Sequence, residues 1–79
     1  MSRWKRPLKA AEVRKILKAL GFTPRPIKGT GHEHWVKENP FRKVTLSAHN
    51  EPFDDFIVGS MARQAGVSIR QFYEALGSS

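Results

Sequence analysis

The chain contains no cysteine at all. That removes a disulfide-stapled secreted scaffold, a Cys-ligated zinc module and a thiol nucleophile together. It also lacks any apolar run near the roughly 18 residues of a membrane span. Its basic start, MSRWKRPLKA, leads into no signal-like apolar region. The expectation is a soluble, cytoplasmic domain with no membrane association. Seventy-nine residues leave no room for two domains or a barrel enzyme. Two Trp, five Phe and one Tyr supply the bulk that one small core needs. Residues 1–79 are therefore read as a single domain with a flexible basic leader, 1–7.

Acidic residues are also scarce. Seven Asp and Glu face 14 Lys and Arg, a net charge of +7. The excess is uneven. Residues 1–46 hold every cation except Arg63 and Arg70, against Glu12, Glu33 and Glu38 alone. The remainder carries Glu51, Asp54, Asp55 and Glu74. A basic half of this kind favours a polyanionic partner: RNA, DNA or an acidic protein surface.

Periodicity orders the elements. Ala10, Val13, Ile16, Leu17 and Leu20 form one apolar stripe at helical spacing. Arg14, Lys15 and Lys18 fall off it, toward solvent. Gly21 suits a helix end, and Phe22 can fold back onto the stripe. Thr23 to Lys28 carries Pro24 and Pro26, so as a strand it is an edge strand. His32 to Lys37 and Phe41 to Ser47 read as strands joined by a short turn, an antiparallel hairpin. Phe53, Phe56, Ile57, Met61 and Ala65 are compatible with a buried face, with Gly59-Ser60 opening a short helix through Gln64. Gly66 ends it. Ser68 and Gln71 form a capping box for a last helix bearing Ile69, Phe72, Tyr73 and Leu76. The prediction is an α+β fold, αβββα, with a three-stranded antiparallel sheet covered on one face by helices.

The segment KGTGHEHW, Lys28 to Trp35, is the most informative. On a strand, His32 and His34 share a face, while Glu33 and Trp35 take the other. Glycines before the first histidine allow a ligand backbone to approach closely. Lys28 precedes them, and Lys37, Arg42 and Lys43 lie across the hairpin. A histidine among cations is what metal-free RNA cleavage needs. Imidazole can take the proton of a ribose 2′-hydroxyl or give one to the leaving 5′-oxygen. Cations stabilise the charge that grows on phosphorus. Other readings stay open: the histidines as ordinary surface residues, or His32, His34 and His49 as a three-histidine zinc site. Trp35 is core or a platform for a base. Met61 to Phe72 reads either as a helix-turn-helix or as a helix pair closing the core. The net negative charge of that half favours the pair.

The segments together resemble the HicA toxin family of bacterial toxin–antitoxin pairs, the YcfA-like domains. The resemblance runs from about residue 8 to residue 76. It rests on Leu20-Gly21-Phe22, on Lys28-Gly29-Thr30-Gly31-His32-Glu33-His34-Trp35, on Val44-Thr45-Leu46 with His49 after it, and on Gly59 to Ser68. It implies a fold like a double-stranded-RNA-binding domain and an mRNA-cleaving endoribonuclease toxin that needs no metal and no cofactor. It also implies a HicB-type antitoxin partner. The family's catalytic histidine falls on His32. His34 and His49 are its possible partners, and Lys28, Gly29, Lys37, Arg42 and Lys43 are the candidate RNA contacts. A non-catalytic RNA- or DNA-binding module is the alternative, and a purely protein-binding adaptor is a third reading.

Overall fold

The computed structural model describes residues 6–25 and 32–78. Helix α1 (Ala10–Ala19) leads into three strands, β1 (Thr23–Arg25), β2 (His32–Lys37) and β3 (Arg42–Ser47). A 3-10 turn (Ala48–Asn50) follows, then helices α2 (Asp55–Ala65) and α3 (Ile69–Ser78). The sheet is antiparallel in the order β1-β2-β3. This is the αβββα arrangement expected from the sequence, with the last α contributed by a helix pair.

The α1 stripe is real: Ala10, Val13, Ile16 and Leu17 are buried. The helix ends as its glycine requires. Gly21 takes φ +93°, Phe22 N–H bonds to the Leu17 carbonyl at 2.9 Å and Gly21 N–H to that of Lys18 at 3.1 Å. That pattern satisfies two end carbonyls and returns Phe22 to the core. At the other end two carboxylates meet the helix N-terminus, the favourable sign for its dipole. Glu12 accepts from Lys9 N–H at 2.9 Å and Glu51 from Ala10 N–H at 2.7 Å.

Alternation along β2 and β3 gives the sheet its two faces. Trp35, Val44 and Leu46 are buried with Phe53, Met61 and Phe72 in one core cluster, where α1 packs on α3 and α2 on β3. Trp35 is thus core. The opposite face carries no helix among the described residues, and His32 and His34 lie there half-buried.

Three local expectations are corrected, and the end of the basic leader can be placed. Helix α2 begins at Asp55, not after Gly59-Ser60, because Asp54 caps it by accepting from Ile57 N–H at 3.0 Å. Phe56, expected on the buried face, is 84% exposed, while Val58 and Ala62 take the core positions. Arg14 does not simply face solvent. It is half-buried and grips the Glu33 carboxylate of β2 with both Nε (3.1 and 3.2 Å) and Nη2. Of the leader, residues 1–5 lie outside the described residues, but Arg6 is pinned: its backbone N–H donates to the Tyr73 hydroxyl at 3.3 Å, which in turn donates to its carbonyl.

The helix pair holds as a core-closing unit. Gly66 sits at φ +81°. Ser68 and Gln71 cap each other at 2.9 and 3.1 Å. Arg70 is paired with Glu74 on its own helix. Of the side chains a recognition helix would present, Gln71 is used as a cap and Arg70 as half of an ion pair. No helix among the described residues is long and apolar enough to cross a membrane.

Candidate active site on the open sheet face

The site is built from the β2–β3 register. His32 pairs with Ser47 and His34 with Thr45, so each imidazole faces a hydroxyl across the ladder. His32 Nδ1 lies 2.6 Å from Ser47 Oγ, and His34 Nδ1 lies 3.3 Å from Thr45 Oγ1. Directly after Ser47 the chain turns through Ala48–Asn50. That turn returns His49 to His32, ring centroids 5.4 Å apart and edge to face at 72°. The two catalytic candidates brought together are therefore His32 and His49. His34, two residues along the strand, has a different hydroxyl neighbour.

The Glu33 carboxylate lies on the opposite face, and it anchors this strand. It accepts from Arg14 and also from Trp35 Nε1 at 3.1 Å. The Arg14 guanidinium holds the Glu33 carboxyl below its ordinary range, against a smaller opposing effect of burial. A paired charge beneath His32 and His34 fixes the backbone from which both project.

The cations divide by parity. Lys43 pairs with Val36 and so shares the histidine face. Lys37 and Arg42 are expected beside His32 but turn to the helix side. Lys37 Nζ donates to the Leu20 carbonyl at 3.3 Å and lies 5.1 Å over the Phe22 ring. Arg42 packs on Gly66 at the C-terminus of α2, where a cation meets the negative end of the dipole. Arg25, absent from the expected set, joins the histidine face because it pairs with His34. Lys28 and Gly29 lie outside the described residues. Ser47 is the other residue missed from sequence. Its signal was the hairpin register, which places it opposite His32.

Among the described residues, no group of three or more His, Asp or Glu stands close enough together to hold a metal ion. His32, His34 and His49 do not converge as a three-histidine ligand set. What the arrangement offers is two adjacent imidazoles, one held by a hydroxyl, on a solvent-facing surface with two cations further along.

The family model for the HicA toxin of bacterial toxin–antitoxin systems matches residues 10–67, from the start of α1 through the helix pair's turn. No curated protein and no solved structure gives a match. The matched stretch spans the whole sheet, the His32–Ser47–His49 cluster and most of the chain, and the chain belongs to the HicA toxin family.

Proposed function

We propose that this toxin is an endoribonuclease that cuts mRNA through His32. The observation that carries the reading is the His32–His49 pair on the open face, with His32 held at Nδ1 by Ser47. Ser47 orients the ring at Nδ1, and Nε2 is the nitrogen that exchanges a proton with RNA. His32 takes the proton of the ribose 2′-hydroxyl as its oxygen attacks phosphorus. His49, as imidazolium, protonates the departing 5′-oxygen, so the chain breaks with one proton taken and one given. The products are a 2′,3′-cyclic phosphate and a 5′-hydroxyl. Arg25 and Lys43 supply positive potential along the face, and Lys28 and Gly29, shortly before His32 in the sequence, are proposed to add RNA contacts.

Membership of a toxin family brings an antitoxin partner. We take that partner to be HicB-like and acidic where it docks. It presents carboxylates to Arg25 and Lys43 and covers His32, so RNA and antitoxin compete for one face. Complementary charge makes its association fast and salt-sensitive.

The test is His32→Ala in the purified protein and in cells. Cleavage and growth arrest disappear while the circular dichroism spectrum and melting temperature stay close to wild type, and wild-type cleavage persists in EDTA. Undiminished cleavage by the variant removes His32 from the mechanism. Loss in EDTA with rescue by zinc would return the metal reading. RNA that is bound by the wild type but never cut would favour the binding-module reading.

A further inference from the structure

The far end of the same face holds a feature that proton transfer at His32 does not use. Arg25, His34, Val36, Phe41 and Lys43 line a cavity of about 360 Å³. Its walls come from all three strands: Arg25 from β1 opposite His34 of β2, and Lys43 from β3 opposite Val36. Phe41 is delivered by the turn that enters β3. Phe41 is 59% exposed, a large apolar side chain left in solvent. Arg25 and Lys43 are exposed, and neither has an acidic partner among the described residues. Lys37 and Arg42 lie on the other side of the sheet, Lys37 bonded to the Leu20 carbonyl and Arg42 against Gly66.

Each component answers one part of a nucleotide. An exposed flat ring over an apolar floor takes the face of an unstacked base. Two exposed cations at the rim take the flanking phosphates. An imidazole at the edge, held by Thr45, can exchange a hydrogen bond with the base edge. Duplex RNA offers no splayed base to the ring, so the matching ligand is single-stranded. We infer that this cavity is a nucleotide subsite for single-stranded RNA, with Phe41 as the stacking platform and His34 as a binding residue instead of a proton carrier. His34 lies about 7 Å along the strand from His32, so the seated base belongs to a nucleotide close to the cleaved bond. That placement rests on the nuclease reading, whereas the stacking site does not.

The experiment separates the two. Binding is read by fluorescence anisotropy with fluorescein-labelled 2′-O-methyl oligouridylate and oligoadenylate, which cannot be cut by 2′-hydroxyl attack. Phe41→Ala weakens binding roughly tenfold or more, and Phe41→Trp restores it. An abasic position in the oligonucleotide weakens binding to the wild type but adds no loss in Phe41→Ala. His34→Ala raises KM for all-ribose RNA and leaves kcat close to wild type. Because the Phe41 ring stands in solvent, the variant folds, and its melting curve verifies that. Equal oligonucleotide binding by wild type and Phe41→Ala overturns the subsite, whatever happens to cleavage. Loss of antitoxin binding with RNA binding intact makes the cavity a protein dock and overturns it equally. A collapse of kcat in His34→Ala with KM unchanged overturns the binding role of His34. Phe41-dependent binding by a wild type that never cuts all-ribose RNA supports the subsite and overturns the nuclease reading.

Discussion

His32 and Ser47 face each other across the β2–β3 ladder, Nδ1 to Oγ 2.6 Å. The contact has a functional consequence that differs from its structural one. A half-buried hydroxyl–imidazole hydrogen bond contributes only about 1 kcal/mol to folding. Orientation of a proton carrier affects the rate far more steeply. Ser47→Ala therefore lowers the cleavage rate about tenfold or more while shifting stability by about 1 kcal/mol at most. Parallel single-turnover kinetics and thermal melts check it. Loss of stability with full activity would make Ser47 a packing residue only.

The Arg14–Glu33 pair predicts an acid-side weakness. Because Arg14 holds the Glu33 carboxyl below its ordinary value of 4.5, the unfolded chain takes up this proton at a higher pH than the folded one does. The stabilisation is complete above the ordinary value and is lost as pH falls through the folded one. Glu12, held down mainly by Arg6, adds an effect of the same sign. Glu33→Gln removes this pair's share of the dependence and costs about 1–2 kcal/mol near neutral pH, the pair being partly solvent-screened. Urea midpoints measured from pH 7 down to pH 3 should converge for the two proteins at the acid end. Parallel curves at all pH values would contradict the assignment.

Two glycines predict opposite signs. Gly66 sits at φ +81°, and a Cβ there would lie 2.9 Å from the Arg42 guanidinium. The guanidinium can move aside but the backbone angle cannot, so Gly66→Ala costs about 1 kcal/mol or more. Gly59 is inside α2, and its Cβ would meet only Ile69 Cδ1 at an ordinary 3.8 Å. Gly59→Ala therefore stabilises by about 0.5–1 kcal/mol. Denaturant midpoints of the two variants should move in opposite directions.

Parity predicts which cations matter. The double variant Arg25→Glu/Lys43→Glu weakens both RNA and antitoxin binding and flattens the salt dependence. Reversal of Lys37 leaves RNA affinity near wild type and instead lowers stability, because its ammonium is bonded to the Leu20 carbonyl. Equal loss of RNA binding in both would mean that the interface wraps around the sheet edge. A partner mapped by cross-linking only to residues 60–76, with His32 left open, would refute direct masking.

The residues that carried the sequence reading were those whose geometry is local. Gly21 and Gly66 punctuate helices because glycine takes positive φ without strain. The Ser68–Gln71 cap is read at fixed spacing, and the alternation of HEHWVK sets His32 and His34 against Trp35 without knowledge of the rest. What escaped depended on pairing at a distance. Arg25 joins the site only through its register with His34, and Arg14 is drawn partly out of solvent by Glu33 of β2. The parity of Lys37 with Trp35 is legible along one strand and sets it on the face away from His32. Arg42 needed the hairpin register as well. For α2, Asp54 and Ser60 are both competent caps, and the choice was decided by burial of Val58, which α2 gains only by starting early.

The central claim is that an imidazole pair on the open face cuts RNA by 2′-hydroxyl attack. Mass spectrometry of the RNA ends left by purified protein in EDTA tests it most directly. The account predicts 2′,3′-cyclic phosphate and 5′-hydroxyl ends from the wild type, none from His32→Ala, and none from an RNA with a single 2′-deoxy position at the cut site. Cleavage at that 2′-deoxy position, or 5′-phosphate ends from the wild type, would contradict it.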